Sequence, residues 1–115
     1  MKFDYLYMDD VCSTVTVEGD KITVVNYTDD ILLTAFGNNK NVTLDDLDEF
    51  FEYRCFPRSR AKQVLKNENI PYEPFLIVQR THGVMTDDCF WIRFEGENLH
   101  WSDVDPVKKI NNLYK

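Results

Sequence analysis

The spacing of hydrophobic and polar positions changes period twice along the chain. Val11, Ser13, Val15 and Val17 alternate with Cys12, Thr14, Thr16 and Glu18. A period of two built from β-branched residues predicts a strand with one buried face. Phe3 to Met8 is aromatic-rich and extended in character, with Asp9-Asp10 as the turn after it. Gly19-Asp20 separates this strand from a second strand-like run, Ile22 to Tyr27. Glycine at the first central position of a two-residue loop predicts a type II′ hairpin. Asp29-Asp30 supplies another turn, Ile31 to Phe36 reads as a further strand, and Gly37 to Asn41 as a loop.

From Thr43 the period lengthens to that of a helix. Leu44, Leu47, Phe50, Phe51 and Arg54 share one stripe, which predicts a helix over 44–54. Thr43 and Asp46 have capping-box spacing, and Asp45, Asp46, Asp48 and Glu49 crowd the end where the helix dipole favours negative charge. Pro57 ends this helix and opens the next, whose apolar stripe is Ala61, Val64 and Leu65. Pro74 begins a third helix, with Phe75, Val78 and His82 inward and Gly83 as its left-handed cap. Cys89 to Phe94 returns to a period of two. Phe90, Ile92 and Phe94 face one way and Cys89, Trp91 and Arg93 the other, as in a strand covered on both sides. Asp105-Pro106 opens a last amphipathic helix through Val107, Ile110 and Tyr114. The expected fold class is α+β in one domain. Residues 1–37 form an antiparallel β-meander. Residues 43–115 form a helical part containing strand 89–94, with three or four short helices packed on the sheet.

Composition narrows the class. A chain of 115 residues, 43% hydrophobic and 14% aromatic, can bury a core and is not of disordered type. No apolar run is long enough for a membrane span, and Met1 to Asp4 lacks an apolar signal region, so a cytoplasmic protein is expected. Cys12, Cys55 and Cys89 lack disulfide-framework or zinc-ligand spacing and fit reduced thiols. The formal charge of −7 is unevenly spread: residues 1–52 carry −9 and residues 53–80 carry +4. Such a balance disfavours wrapping a nucleic acid over the whole surface and favours solubility or a basic protein partner.

Three groups of residues could carry function. Asp29, Asp30, Asp48 and Glu52 are the acidic candidates for partner binding, able to imitate a run of phosphates. Arg58, Lys62 and Lys66, at i, i+4 and i+8, are the basic candidates, and Arg58 and Arg60 could clamp Asp87 and Asp88. Asp87, Asp88, Glu95 and Glu97 form the densest carboxylate group near the tryptophan strand, the arrangement a metal-dependent nuclease would use. Neither a catalytic motif nor a cofactor or metal motif is present in the sequence, so no catalytic residue, cofactor or metal is assigned.

Arg54-Cys55-Phe56-Pro57-Arg58-Ser59-Arg60, Thr81-His82-Gly83, Asp87-Asp88 and Trp91-Ile92-Arg93-Phe94-Glu95-Gly96-Glu97 together resemble a group of short proteins of Gram-positive bacteria and their mobile elements. The layout is also similar to a segment near HipA-like kinases, with Arg54, Pro57, Arg60, Asp88 and Trp91 at the matching positions. No glycine-rich phosphate loop accompanies it, so kinase activity is not implied. The resemblance implies a mobile-element setting. The function expected is a non-enzymatic acidic inhibitor of a bacterial nucleic-acid-handling effector, of anti-CRISPR type and acting by protein contact. The alternatives are a regulatory module of a toxin–antitoxin or HipA-like system, and a small metal-dependent nuclease or hydrolase.

Overall fold

The computed structural model describes residues 1–55, 73–85 and 88–106. The helix expected after Pro57 and the terminal helix expected from Val107 lie outside the described residues. Four strands form one antiparallel sheet: β1 (Lys2–Tyr7), β2 (Asp10–Glu18), β3 (Lys21–Asn26) and β4 (Phe90–Phe94). Their order is β3-β2-β1-β4. The first three strands are the expected meander, and the fourth joins its far side from late in the chain. With α1 (Leu44–Tyr53), α2 (Pro74–Thr81) and the short α3 (Trp101–Val104), the fold is mixed α+β.

The β2–β3 hairpin turns at Gly19-Asp20, with Glu18 opposite Lys21. Gly19 has φ +62° and Asp20 is not in the left-handed region, as a type II′ turn requires. The β1–β2 turn falls one residue earlier than its sequence suggests, on Met8-Asp9, with Tyr7 opposite Asp10. Met8 takes φ +52°, unusual for a side chain of its size. Two contacts hold it: Met8 N–H donates to the carbonyl of Cys89, just before β4, at 2.9 Å, and Trp91 Nε1 donates to the Met8 carbonyl.

A β-bulge interrupts the alternation of β2. Tyr5 pairs with Ser13 but Leu6 pairs with Val11, so Cys12 is the extra residue. Ser13, Val15 and Val17 therefore share a face with Phe3 and Tyr5. Val11 is turned to the opposite face with Leu6, against the uninterrupted alternation expected of this strand. Buried Ser13 is satisfied on both sides: its hydroxyl donates to Asn26 Oδ1 at 2.7 Å and accepts from Ala35 N–H at 3.1 Å.

Ile31 to Phe36 does not form the strand its pattern predicts. Asp30 Oδ1 accepts the Leu32 N–H and the Thr34 hydroxyl donates to the Ile31 carbonyl, which curls Ile31–Leu33 into a single 3₁₀ turn. Local side-chain bonds of this kind compete with strand ladders. Ala35 and Phe36 then pack on the core.

The larger core lies on the face carrying Phe3, Tyr5, Val15 and Ile92, where Leu47, Phe50 and Phe51 of α1 and Val78 of α2 join it. It is built largely of rings. Phe50 meets Phe3, Tyr5, Phe36 and Phe51, and Phe75 bridges Phe51 to Phe94. Leu44, first on the helical stripe, stays 42% exposed, because the capping box turns the chain there. On the opposite face Leu6, Trp91 and Val104 make a smaller core, closed by α3. That helix was not legible in the sequence. Its entry is held by Asp9, whose carboxylate accepts the Trp101 N–H at 2.9 Å.

Trp91 is fully buried and its indole N–H is satisfied, so Trp91→Ala should cost about 3–5 kcal/mol, measured by urea or thermal unfolding. An unchanged midpoint would mean that the smaller core contributes no stability.

Candidate functional site

The most densely bonded polar group among the described residues is Arg54, the C-cap of α1, which is 1% exposed. It lies on the apolar stripe of its helix, after Leu47, Phe50 and Phe51, and so points inward. A buried guanidinium must be hydrogen-bonded and charge-paired to offset its desolvation. Nη1 and Nη2 grip both oxygens of Asp88 at 2.8 and 2.9 Å. Nε and Nη2 converge on the Gly83 carbonyl at 3.0 and 2.7 Å, and Nη2 also reaches the Phe90 carbonyl at 2.8 Å. The Tyr5 ring lies 6.0 Å from the guanidinium carbon.

The turn that receives Arg54 is Thr81-His82-Gly83. His82 (φ +58°) and Gly83 (φ +65°) are both left-handed. The cap of α2 is thus His82 itself, with its N–H on the Val78 carbonyl, and not Gly83 as the sequence suggested. A Cβ at Gly83 would lie 3.1 Å from Arg54 Cβ and 3.4 Å from Ile92 Cδ1, so glycine is needed there for closeness as well as for φ. His82 points outward to Glu97, Nε2 to Oε2 at 2.8 Å, and not into the core. The other Glu97 oxygen accepts the Phe94 N–H at 2.7 Å. The His82 carbonyl accepts the Ile92 N–H at 2.7 Å.

Burial alone pushes the Asp88 carboxyl up. The Arg54 hydrogen bonds, the Phe90 N–H and the Arg54 charge outweigh it, and the carboxyl sits below its ordinary value. Asp88 therefore remains an anion bound to Arg54. Burial, reinforced by the charge of Glu52, raises the Cys55 thiol to about 11. Burial likewise raises Cys12, so neither thiol is activated as a nucleophile.

The sequence candidates are placed as follows. Asp88 is bound to Arg54, Glu97 to His82 and the β4 backbone, and Glu95 is exposed. Among the described residues no three His, Cys, Asp or Glu groups are placed to hold a metal ion. Asp87, Arg58, Arg60, Lys62 and Lys66 lie outside the described residues. Asp29 and Asp48 are exposed. Asp30 is exposed but caps the 3₁₀ turn, and Glu52 is half-buried and already engaged. Asp46 accepts N–H bonds from Thr43 and Asn39, which hold its carboxyl below the ordinary value. The outward face of α1 thus presents Asp45, Asp48 and Glu49. On the face of the sheet away from α1, Arg93 pairs with Asp4 at 3.2 Å and Thr14 donates to Asp4 at 2.8 Å. These side chains line an open groove of about 650 Å³ with Lys2, Tyr27 and Glu95.

The expected clamp of Asp87 and Asp88 by Arg58 and Arg60 lies outside the described residues, and the partner described for Asp88 is Arg54, which the sequence reading did not assign to it. The signal was present: an arginine on the buried stripe of an amphipathic helix needs a carboxylate partner. Comparison with models of protein families, with curated proteins and with solved structures found no match. Among the described residues no helix is long and apolar enough to cross a membrane.

Asp88 contributes stability above the ordinary aspartate value, near 4, and that contribution is lost as pH falls through its lower folded value. Breaking a buried pair costs about 3–5 kcal/mol, and the 27% exposure of Asp88 puts Asp88→Asn toward the lower end. Urea unfolding should show a gap between wild type and Asp88→Asn at pH 7 that narrows toward about pH 3. A gap independent of pH would mean that Arg54 does not depend on the charge of Asp88.

Proposed function

We propose that the protein is a non-enzymatic binding protein that docks its acidic side on a basic surface of another protein. The outward face of α1 supports this most directly. Asp45, Asp48 and Glu49 are exposed there, and among the described residues no hydrogen bond or ion pair engages their side chains. Charges arranged in this way speed encounter with a basic partner and select it against acidic ones. The chemistry-bearing residues of the tryptophan-strand region weigh in the same direction. Arg54, Asp88, His82 and Glu97 are committed to holding helix, turn and strand together. A hydrolase would need such groups free to meet substrate.

The resemblance to short mobile-element proteins narrows the partner we propose to a bacterial nucleic-acid-handling effector, such as a CRISPR nuclease. Its nucleic-acid groove would offer the basic surface.

Asp29→Asn, Asp48→Asn and Glu49→Gln in one protein test the proposal without touching Asp30 or Glu52, which have structural work. The melting point should hold, because surface substitutions of this kind stay within about 0.5 kcal/mol. Binding to a panel of guide-loaded CRISPR nucleases should weaken, fall with salt, and compete with target DNA. Wild-type affinity in the triple variant across salt concentrations would remove the acidic face from the interface.

A further inference from the structure

The two edges of the sheet are finished differently. At the β4 edge the Phe90 carbonyl is taken by Arg54, the Ile92 N–H by the His82 carbonyl and the Phe94 N–H by Glu97. At the β3 edge no equivalent exists among the described residues. Tyr27 N–H bonds the Cys12 carbonyl at 2.9 Å, which continues the β2–β3 register by one pair. Antiparallel pairs alternate between hydrogen-bonded and non-hydrogen-bonded. Lys21, Thr23 and Val25 therefore bond to β2, while Ile22, Val24 and Asn26 aim N–H and C=O outward. No backbone or side-chain hydrogen bond from the described residues reaches those outward groups. Lys21 is the one charged residue of the strand, which has no proline and no bulge against β2, and its run Ile22-Thr23-Val24-Val25 is β-branched throughout.

The same three residues line a groove. A cleft of about 390 Å³ lies along β3, bounded by Ile22, Val24 and Asn26 on one side and by Ile31, Lys40 and Val42 on the other. Its lining is mixed, with Asn38, Asn39 and Lys40 beside Ile31 and Val42, and Ile31 is 46% and the adjacent Leu32 83% exposed. A strand added to this edge would hydrogen-bond at the positions opposite Ile22, Val24 and Asn26. Its side chains at those positions would project on the groove side, because paired residues share a face.

We propose that the β3 edge is a docking site for an extended segment of another protein, added as a fifth strand, with apolar residues at alternate positions and Lys or Arg at its ends. The occupant follows from charge. Exposed Glu18, Asp20, Asp29 and Asp30 surround the strand and outnumber Lys21 and Lys40, and residues 1–52 carry −9. A second copy pairing edge to edge would bring the same acidic surface against itself, whereas a segment with basic ends is attracted. The proposal rests on the reading of the protein as a binding module, and it uses a surface separate from Asp48 and Glu49.

The probe is a capped peptide of alternating valine and threonine with lysine at both ends, titrated into the full-length ¹⁵N-labelled protein. The amides of Ile22, Val24 and Asn26 should shift and gain hydrogen-exchange protection. Val24→Pro deletes an outward donor and leaves the β2 ladder intact, and it should weaken binding about tenfold or more. Because that variant could perturb the strand, the peptide N-methylated at alternate amides repeats the test on unaltered protein and should lose binding to the same degree. A peptide ending in glutamate should bind more weakly than the lysine form at low salt. The protein carrying Asp48→Asn and Glu49→Gln should still bind the lysine peptide, so this surface and the acidic face of α1 can fail separately. Absence of binding, indifference to N-methylation, or shifts confined to α1 would overturn the proposal. So would protection of the same amides by self-association without peptide, which would make a second copy the occupant.

Discussion

A guanidinium that is 1% exposed sits where the last turn of α1, the turn after α2 and the start of β4 converge. Removing such a charge from water is costly, and only a nearly complete set of partners makes it tolerable. Arg54 has that set: a bidentate carboxylate and two backbone carbonyls. Its planar fork suits this role, where a lysine would offer a point charge without matching directions. Burial lowers the Arg54 pKa, but the Asp88 hydrogen bonds and neighbouring charges more than compensate, so it is held above its ordinary value. Arg54 joins the end of α1 to the Thr81–Gly83 turn and to the start of β4.

Other features follow from this constraint. Gly83 must lack a side chain because Arg54 Cβ is close by, and the chain must pass through two successive left-handed residues to turn its carbonyl toward the guanidinium. That turn carries the His82 carbonyl to Ile92 and the His82 ring to Glu97, which covers the outer edge of β4. At this edge of the sheet the Phe90 carbonyl, the Ile92 N–H and the Phe94 N–H are thereby all paired. The proposed contacts lie away from this junction, on the exposed carboxylates of α1 and along the outward groups of β3.

Much of the fold was legible from local signals. The Gly19 hairpin, the Thr43–Asp46 capping box and the faces of β4 each depend on a few neighbouring residues. The errors arose where tertiary contacts or local side-chain bonds override pattern. Ile31 to Phe36 has strand composition, but Asp30 and Thr34 bond the local backbone and curl it. The β2 alternation continues through Cys12 in sequence, but the bulge against Tyr5 and Leu6 reverses the face of Val11. The pairing of Arg54 with Asp88 was not legible, since sequence spacing carries no information about contacts 34 residues apart. The acidic candidates were visible as composition, yet only hydrogen-bond partners separate exposed Asp48 and Asp29 from the engaged Asp30 and Glu52.

Native-state hydrogen exchange in Arg54→Met tests the central role of this residue most directly. Exchange resolves which parts of a fold open together. If Arg54 joins α1, the Thr81–Gly83 turn and β4, the amides of His82, Phe90 and Ile92 should lose most of their protection. Amides of the β1–β2 ladder, such as Val15, should lose much less. A uniform loss across both sets, or retained protection at Ile92, would contradict the account.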